Sequence, residues 1–378
     1  MKIIYCIAGT FNAGGMERVL SNKANYLAAH GYEVIIITTD QQKRKSFFAL
    51  SSGIKSYDLD VNYAENNGKG FLNKLVYYPF KQWKHKKRLT KLLNELRADI
   101  VISMCCNDVS FIANIRDGSK KILEIHFSKF KRMQYGRKGI WKLADWWRSK
   151  LDEQTVGKFD KFVVLTYEDK GYWGDLPNME VIANAKNEWG NHTASLDNKQ
   201  VIAVGRYDCQ KGFDRLIEAW RLIHNRFPDW KLKITGAGEL RKDFEMLIDK
   251  YGLNDTIELK ESVSEILPEY LNASFLVMSS RYEGLPMVLL EAMSVGLPPV
   301  SFDCKCGPKD IITDGEDGFL APEGNIPMLA ERMMQLMENA NLRKKMGQAA
   351  KIKSGRFAES AIMDKWMKLF DNLLNKAS

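Results

Sequence analysis

Two carboxylates, Glu283 and Glu291, stand in the segment RYEGLPMVLLEAMSVGLPPVSF (281–302) with seven residues between them. Paired carboxylates can serve as the acid and the base that break a glycosidic bond, provided that they face each other across it. Pro286 suits the first position of a helix, so we predict a helix that starts near Leu285. Glu283 then lies in the loop before the helix, and Glu291 projects from the side of the helix. This arrangement does not supply the facing pair that a glycosidase needs.

The start of the predicted helix also offers hydrogen-bond donors. The N–H groups from Gly284 to Met287 have no partner within the helix, and together with the helix dipole they favour an anion. The segment therefore suggests one carboxylate at a sugar, backbone donors at a phosphate and the second carboxylate at a ribose.

Two other loops that follow predicted strands carry groups that suit a phosphate. In VGRYDCQKGFDRL, Arg206 and Lys211 could clamp a diphosphate, the arginine by its bidentate fork and the lysine as a point charge. In AGTFNAGGMERV, Gly14 and Gly15 precede a helix and would let the backbone approach an anion. For an isolated Arg-x4-Lys pair, solvated surface cations are the simpler interpretation, and two glycines alone are equally typical of a plain turn.

Apolar strands alternate with amphipathic helices along the whole chain. The pattern is typical of parallel sheets that are covered on both faces, and the polar segment 184–199 separates two such runs. We predict an α/β fold with two doubly wound Rossmann-like domains, residues 1–190 and 200–355, and a C-terminal helix, residues 356–378, that packs back toward the first domain. The predicted strands lie in KIIYCIAG, YEVIIITTD, ADIVISMC, KKILEIHF and DKFVVLTY, and then in QVIAVGR, WKLKITGAG, TIELKE, ASFLVMSS and LPPVSF.

Positive charge is concentrated in one region of the chain. The whole chain carries 56 Lys and Arg against 47 Asp and Glu, and residues 71–150 alone carry 19 against 6. Such a region implies an anionic partner, which could be nucleic acid, phospholipid or a phosphorylated substrate. No segment approaches the ~18 apolar residues of a spanning helix, and the first apolar run is too short for a signal peptide, so we expect a cytoplasmic protein. The six cysteines lack zinc-ligand spacing, and we expect them to be buried thiols.

Aromatic side chains are interleaved with the cations of this basic region. The segment FLNKLVYYPFKQWKHKKRL (71–89) could lie at a membrane interface or bind an anionic lipid head group, and the segment 129–150 repeats its composition. Pro79 argues against one unbroken helix here. The alternative is a solvated cationic face whose aromatics belong to the core. The aromatic residues of the first segment are Phe71, Tyr77, Tyr78, Phe80 and Trp83.

Five motifs spread over nearly the whole chain occur together. They are Arg206 with Lys211, GAGE (236–239), SRYEGLPMVLLEAMSVGLPPVSF (280–302), GPKDII (307–312) and GGMERV (14–19). In this combination the chain resembles the retaining family-4 glycosyltransferases of the GT-B fold, close to the bacterial polysaccharide and glycan-assembly members. The resemblance implies a nucleotide-sugar donor bound mainly by the C-terminal domain, an active site in the cleft between the domains, and no metal or other cofactor. One departure is CKCGP (304–308), where a Pro-Thr pair commonly precedes the Gly-Pro.

The resemblance also implies roles for individual residues. Arg206 and Lys211 would hold the diphosphate in place of a metal ion, Glu283 would contact hydroxyls of the donor sugar, and Glu291 would contact the ribose hydroxyls. His126 matches a histidine of the N-terminal domain beside the reaction centre, and it completes a predicted catalytic set with Glu283, Arg206 and Lys211. The other donor-binding residues that the resemblance implies are Gly14, Gly15, Gly284, Leu285, Pro286 and Val263, whose backbone would meet the base.

For a retaining enzyme of this family, the resemblance favours front-face displacement, in which the diphosphate leaves as the acceptor hydroxyl attacks from the same side. By analogy it implies a hexose or N-acetylhexosamine carried by UDP, and a glycan acceptor on a lipid diphosphate carrier. Together with the basic aromatic segment, this predicts a peripheral protein on the inner face of the plasma membrane, in contact with its anionic surface.

Two other functions remain open on the sequence. A nucleotide-sugar epimerase would share the two-domain fold. A nucleic-acid-binding protein would explain the basic region, but no recognition module is present and both glutamates would have no role, so we expect no nucleic-acid partner. Asp58-Leu-Asp60 mimics the metal-binding signature of the other large glycosyltransferase fold. It lacks the context of that fold, and we interpret it as a coincidence.

Overall fold

A computed structural model describes residues 1–12, 14–66, 71–129 and 150–375 of the chain. It divides into two compact units, which we call the N-terminal unit and the C-terminal unit. The N-terminal unit comprises Met1–Leu165, Lys170–Ile182 and Met363–Ser378, and the C-terminal unit comprises Thr166–Asp169 and Ala183–Ile362. The chain therefore enters the C-terminal unit briefly, returns, and leaves it again inside its last helix.

Each unit is built on one parallel sheet. The N-terminal sheet has seven strands in the order β3-β2-β1-β4-β5-β6-β7, and the C-terminal sheet has six in the order β10-β9-β8-β11-β12-β13. The strands are β1 Lys2–Ile7, β2 Glu33–Thr38, β3 Lys55–Asp58, β4 Ile100–Ser103, β5 Lys120–Glu124, β6 Lys161–Val164, β7 Met179–Val181, β8 Gln200–Val204, β9 Lys231–Thr235, β10 Ile257–Lys260, β11 Phe275–Met278, β12 Pro299–Asp303 and β13 Phe319–Pro322.

Helices alternate with these strands. None of the described helices is long and apolar enough to cross a membrane. The described helices are α1 Gly15–Ala29, α2 Phe71–Leu96, α3 Tyr167–Trp173, α4 Phe213–Ile223, α5 Arg241–Tyr251, α6 Leu267–Leu271, α7 Met287–Ser294, α8 Pro308–Ile311, α9 Ile326–Glu338, α10 Ala340–Ser354 and α11 Glu359–Asn375.

The innermost strands of the two sheets, β1, β4, β8 and β11, are mostly apolar and buried, as expected for parallel sheets in α/β proteins that are covered on both faces. In the N-terminal sheet, Ile3 pairs with Ile100, and both are fully buried. In the C-terminal sheet, Val201 of β8 stands in register with Leu232 on one side and Phe275 on the other. The predicted α/β class, with two Rossmann-like parallel sheets, is confirmed.

Three strands that the sequence did not reveal, β3, β7 and β13, are all edge strands. An edge strand has one neighbour, so its outward residues need not be apolar. All four residues of β3, Lys55–Asp58, are exposed. Because their composition is polar, no apolar run marks this strand in the sequence.

Two local predictions about proline were wrong. Helix α2 continues through Pro79 without a break. Proline removes one backbone hydrogen bond, but residues 77–80 are exposed, so water can satisfy the carbonyl that is left without a donor. In addition, Pro286 is the N-cap of α7 rather than a residue of its first turn, and the helix begins at Met287 rather than near Leu285.

Because the strands of each sheet are parallel, the loops after them gather at one edge. In the C-terminal unit, these loops approach one another so closely that glycine is needed at the contacts. A Cβ atom on Gly212 would lie 2.3 Å from the carbonyl oxygen of Ser279, and one on Gly236 would lie 1.8 Å from that of Gly205. The Ser279 hydroxyl donates to the carbonyl oxygen of Lys211 at 3.0 Å. The loops after β8, β9 and β11 are thus fixed backbone to backbone.

The contact at Gly212 yields a prediction about stability, for which Gly252 provides a matched control. Both glycines have a left-handed φ, 63° and 65°, but a Cβ on Gly252 would meet nothing within 4 Å. Gly252→Ala should therefore lower the free energy of unfolding only by the strain of a left-handed φ, about 1 kcal/mol. Gly212→Ala should cost at least about 2 kcal/mol more, because the Ser279 carbonyl must also move. Urea unfolding followed by tryptophan fluorescence measures both; equal losses would show that the two loops do not interlock.

Candidate active-site residues

A largely buried ion pair joins two loops of the C-terminal unit. Lys211 ends a short 3-10 turn after β8, where its N–H donates to the Asp208 carboxylate at 3.2 Å. Its Nζ lies 2.7 Å from Oε1 of Glu283. The side chains of Lys211 and Glu283 are only 17% and 7% exposed. The pair is therefore largely withdrawn from water, where its charges interact strongly.

A second donor holds the same carboxylate. The hydroxyl of Ser280 donates to Oε1 of Glu283 at 2.6 Å. Both contacts fall on Oε1, so Oε2 has no hydrogen-bond partner in the described part of the chain. The sequence motifs predict no role for Ser280. Its only signal was its place at the carboxyl end of β11, where ligand-binding residues of open α/β sheets gather.

The backbone of Glu283 is fixed as firmly as its side chain. Its N–H donates to the carbonyl of Lys305 at 2.7 Å, and its carbonyl accepts from the N–H of Cys306 at 3.0 Å. Gly307 has a φ of 101° and lies against Pro286, where a Cβ would approach Cδ to 2.7 Å. The CKCGP segment (304–308) thus supports the loop from Glu283 to Pro286.

Two of the cysteines in this unit, Cys304 and Cys306, are buried, as the sequence analysis expected, but Cys209 in the Lys211 loop is exposed. The expectation of buried thiols was therefore wrong for Cys209. In the N-terminal unit, Cys6 is buried, and Cys105 and Cys106 are half-buried.

The two predicted diphosphate cations differ in setting. Arg206 is 71% exposed, and its guanidinium lies 3.0 Å from the Asp208 carboxylate. It also donates to the Gln210 side chain at 3.3 Å. Lys211 is held in place, whereas Arg206 extends into solvent from the same loop. Arg281, which the sequence analysis did not single out, supports this loop by donating to both oxygens of Asp214 at 2.9 and 2.6 Å.

The residues that lead into α7 carry the predicted backbone donors. Gly284 and Leu285 precede the N-cap, Pro286, which makes no side-chain hydrogen bond to the helix. The first N–H groups of α7 therefore receive no side-chain cap from Pro286, and they are directed out of the helix start. Val263, predicted to meet the base, is half-buried in the segment after β10.

Glu291 lies inside α7, as predicted, and it is buried. Its Oε1 accepts from the amide of Asn187 at 3.0 Å, and its Oε2 accepts from the hydroxyl of Tyr270 at 3.0 Å. These two contacts orient the carboxylate.

The remaining predicted residues belong to the N-terminal unit. Gly14 is the N-cap of α1 and Gly15 is its first residue. His126 follows β5, and its Nε2 lies 3.2 Å from Oε1 of Glu124. Burial alone would raise the pKa of the Glu124 carboxyl, but its contacts with Lys23 and His126 outweigh burial and lower this pKa to about 2. His126 therefore faces a carboxylate that is ionised at neutral pH.

The carboxylates of the Asp58-Leu-Asp60 motif hold a turn together. Asp58 accepts from the N–H groups of Gln42 at 2.9 Å and Asp60 at 3.1 Å, and Asp60 accepts from the amide of Asn62 at 2.6 Å. Within residues 1–12, 14–66, 71–129 and 150–375, no three His, Cys, Asp or Glu side chains are grouped so that they could hold a metal ion.

Two family models together match most of the chain. The model described as Glycosyltransferase Family 4 matches residues 13–185, and the model described as Glycosyl transferases group 1 matches residues 185–353. The first therefore covers most of the N-terminal sheet, and the second covers the C-terminal sheet with Lys211, Glu283 and Glu291.

Three relatives of known sequence align with this chain over nearly their full length. The chain is 30% identical to an uncharacterized glycosyltransferase of Haemophilus influenzae, with 97% of this chain and 98% of the relative covered. It is also 30% identical to the amylovoran biosynthesis glycosyltransferase AmsD of Erwinia amylovora, with the same coverage. A third relative, at 28% identity and 99% coverage of both chains, is an α-1,4-N-acetyl-D-galactosaminyltransferase of Campylobacter jejuni whose name specifies an undecaprenol-diphosphate glycan acceptor.

Solved structures share the fold at lower identity. The crystal structure of TarM superposes with a TM-score of 0.81 at 18% identity and covers 98% of both chains. A Staphylococcus aureus TarM mutant that superposes with a TM-score of 0.76, also at 18% identity, and covers 98% of this chain and 99% of its own, was solved in complex with UDP and sugar ligands. On the strength of the two 30% identical relatives and the matching fold, the chain belongs to the glycosyltransferases of the GT-B fold.

Proposed function

We propose that this enzyme is a retaining, metal-independent glycosyltransferase that moves a hexose or N-acetylhexosamine from a UDP-sugar to a glycan on a lipid diphosphate. The biological setting that we propose is bacterial surface polysaccharide or glycan biosynthesis. The observation that carries the proposal is the Lys211–Glu283 pair, fixed beside the uncapped start of α7. One loop cluster thus contains a cation, a carboxylate and backbone N–H groups. These are the groups that a protein uses to bind a nucleotide-sugar.

The proposed chemistry follows from these groups. Lys211 and Arg206 would stabilise the negative charge that develops on the departing diphosphate, and the first N–H groups of α7 would add to this effect. Glu283 would contact hydroxyls of the donor sugar through Oε2, the oxygen that Lys211 and Ser280 leave available. No covalent nucleophile is required if the acceptor hydroxyl attacks from the side on which the diphosphate leaves.

The identity of donor and acceptor is supported by the relatives. The TarM complex contains UDP, and the Campylobacter relative carries an undecaprenol-diphosphate acceptor in its name. AmsD belongs by name to the biosynthesis of a polysaccharide. We infer the same chemical classes for this enzyme, and we assign the ribose of UDP to Glu291 and its base to the backbone near Val263.

A membrane surface is the proposed site of action, and α2 supports it. Its residues Tyr77, Tyr78, Phe80 and Trp83 are each about half exposed or more. The rings of Phe80 and Trp83 stack with centroids 6.0 Å apart, and Lys87 lies over the Trp83 ring at 5.1 Å. Exposed aromatics flanked by lysines are typical of helices that enter an anionic lipid interface. Of the second basic aromatic segment, 129–150, all but the two terminal residues lie outside the described residues.

The proposed reaction predicts how the loop cations contribute to turnover. With a UDP-sugar and a lipid-linked acceptor, Lys211→Ala should lower kcat by at least about 100-fold, because the leaving group loses its buried cation. Arg206→Ala should lower kcat in the same direction, whereas the matched control Arg226→Ala, also an exposed arginine at 65%, should not. Activity should persist in excess EDTA, and NMR of the product should show the donor's anomeric configuration.

Inversion of the anomeric centre, or activity lost in EDTA and restored by manganese, would contradict this mechanism. A sugar nucleotide converted without any acceptor would indicate the epimerase instead. Thermal melting of each variant separates a loss of chemistry from a loss of folding.

Substitutions of the two glutamates should affect different steps, Glu283 the catalytic rate and Glu291 the binding of UDP. Glu283→Gln should lower kcat by at least about tenfold and leave the affinity for free UDP within about twofold, because Glu283 is proposed to touch the sugar. Glu291→Gln should weaken free UDP by about tenfold, because a charge-assisted hydrogen bond to the ribose is lost. Asp317→Asn is a matched control, since Asp317 is another buried carboxylate of this unit with a lysine, Lys353, at 2.7 Å. Steady-state kinetics and calorimetric titration of UDP give both readouts, and unchanged UDP binding by Glu291→Gln would refute the ribose role.

The α2 surface predicts binding to anionic vesicles. The protein should co-sediment with phosphatidylcholine vesicles that contain phosphatidylglycerol, less at high salt, and only weakly with pure phosphatidylcholine. The double variant Phe80→Ser/Trp83→Ser should reduce binding by about tenfold or more, because two side chains no longer enter the interface. Met246→Ser, a change of an apolar side chain that is 62% exposed in the C-terminal unit, should not. Equal binding by both variants would exclude α2 as the membrane contact.

A further inference from the structure

Behind His126 lies a buried charged cluster to which none of the roles above assigns a function. Lys23 projects from α1, and Glu124 is the last residue of β5. The Lys23 Nζ lies 2.6 Å from each oxygen of the Glu124 carboxylate. The two side chains are 5% and 1% exposed, so this is a fully internal ion pair.

Aromatic rings enclose the lysine. Its Nζ lies 4.0 Å from the ring centre of Trp366, on α11, and 5.7 Å from that of Tyr5, on β1. An aromatic face attracts a cation, and the attraction is larger when water is excluded. Lys23 is therefore held by the carboxylate and by two rings at once, which fixes the position of Glu124 in turn.

His126 is the second titratable side chain in contact with this carboxylate. Its Nε2 lies 3.2 Å from Oε1 of Glu124, one of the oxygens that Lys23 contacts. The N–H at Nε2 is not aligned with Oε1 for a full hydrogen bond, and Nδ1 is buried with no hydrogen-bond partner in the described part of the chain. The imidazole thus has one nitrogen beside a negative charge, and its other nitrogen has no partner among the described residues.

These contacts decide which nitrogen of the neutral ring carries the proton. The negative charge 3.2 Å from Nε2 attracts a proton to this nitrogen, so the proton is favoured on Nε2 and the lone pair on Nδ1. A buried ion pair is not required for folding, since two apolar side chains of similar size usually fill such a site at least as well. The orientation of His126 gives the pair a role that apolar side chains could not perform.

We propose that Glu124, paired with Lys23, is a positioning residue that keeps the proton of His126 on Nε2 and leaves Nδ1 as a hydrogen-bond acceptor for a substrate hydroxyl. This inference rests on the proposed function and on the catalytic role that the family resemblance implies for His126. Glu124 itself touches no substrate, and its effect is exerted through the imidazole.

The test replaces the pair without leaving a lone buried charge. In the double variant Lys23→Met/Glu124→Leu, the cluster becomes apolar and the net charge of the pair stays zero. With 15N-labelled histidine, NMR distinguishes a protonated from a bare ring nitrogen, and His126→Gln assigns the signal among the five histidines. Wild-type His126 should carry its proton on Nε2. The double variant should show a larger fraction of the Nδ1–H tautomer than the wild type and lower kcat by about tenfold or more, with the KM for the UDP-sugar within about twofold.

A second buried pair in the same unit provides the control. Lys121 and Asp117 are 4% and 0% exposed and are in direct contact. The variant Lys121→Met/Asp117→Asn should therefore keep both the His126 tautomer and kcat. If Lys23→Met/Glu124→Leu does not fold, Glu124→Asp is the alternative, because it keeps the negative charge but moves it away from the imidazole. It should also raise the fraction of the Nδ1–H tautomer.

An unchanged tautomer in these variants, or a loss of kcat no larger than in the Lys121–Asp117 control, would overturn the proposal. The NMR measurement does not require an active enzyme. If the wild-type enzyme transfers no sugar, the proposed function fails, while the tautomer measurement still decides whether Glu124 holds the ring.

Discussion

The contact between Lys211 and Glu283 is the interaction on which the candidate site depends. Both charges are largely removed from water, and each would be costly to bury without the other. In the proposed reaction, a nucleotide-sugar would bring its own charge and hydroxyls to this position. Lys211 could then turn to the diphosphate while Glu283 turns to the sugar, so that both charges are compensated before and after donor binding. Ser280 would keep the carboxylate oriented in either state, because it donates to the oxygen that faces Lys211.

The ion pair can form only because the loops that carry it are locked together by their backbones. Parallel strands deliver the loops after β8, β9, β11 and β12 to one edge of the sheet. Glycines at the contacts, such as Gly212 and Gly236, allow backbone atoms to approach closer than any side chain would permit. The strand-like pairing between Glu283 and the segment around Lys305 adds two further hydrogen bonds. Rigid support of this kind is what electrostatic stabilisation of a leaving group requires.

The N-terminal unit uses lysine and tryptophan in two different environments. Lys23 lies over Trp366 in the interior, where the ring and Glu124 replace its hydration. Lys87 lies over Trp83 on the exposed face of α2, where water already solvates the charge. The first contact orders a cluster that reaches His126, whereas the second leaves an aromatic side chain available to a lipid surface. The same pair of residue types thus serves internal positioning in one place and a candidate interface in the other.

The sequence by itself determined strands such as β1, β4, β8 and β11, because each is an apolar run of the kind that a parallel strand covered on both faces requires. It also determined that Glu283 precedes a helix and that Glu291 lies within it, since the order of residues around Pro286 allows little else. Only the tertiary structure decided the remaining features. The edge strands β3, β7 and β13 are formed by pairing with a neighbour rather than by their own composition. Lys23 and Glu124 are 101 residues apart along the chain, and Lys211 and Glu283 are 72 residues apart. No local sequence pattern therefore indicates either pair. The difference between a buried Lys211 and an exposed Arg206 arises in the same way, because burial depends on which distant loop packs above a residue and not on the residues beside it in the chain.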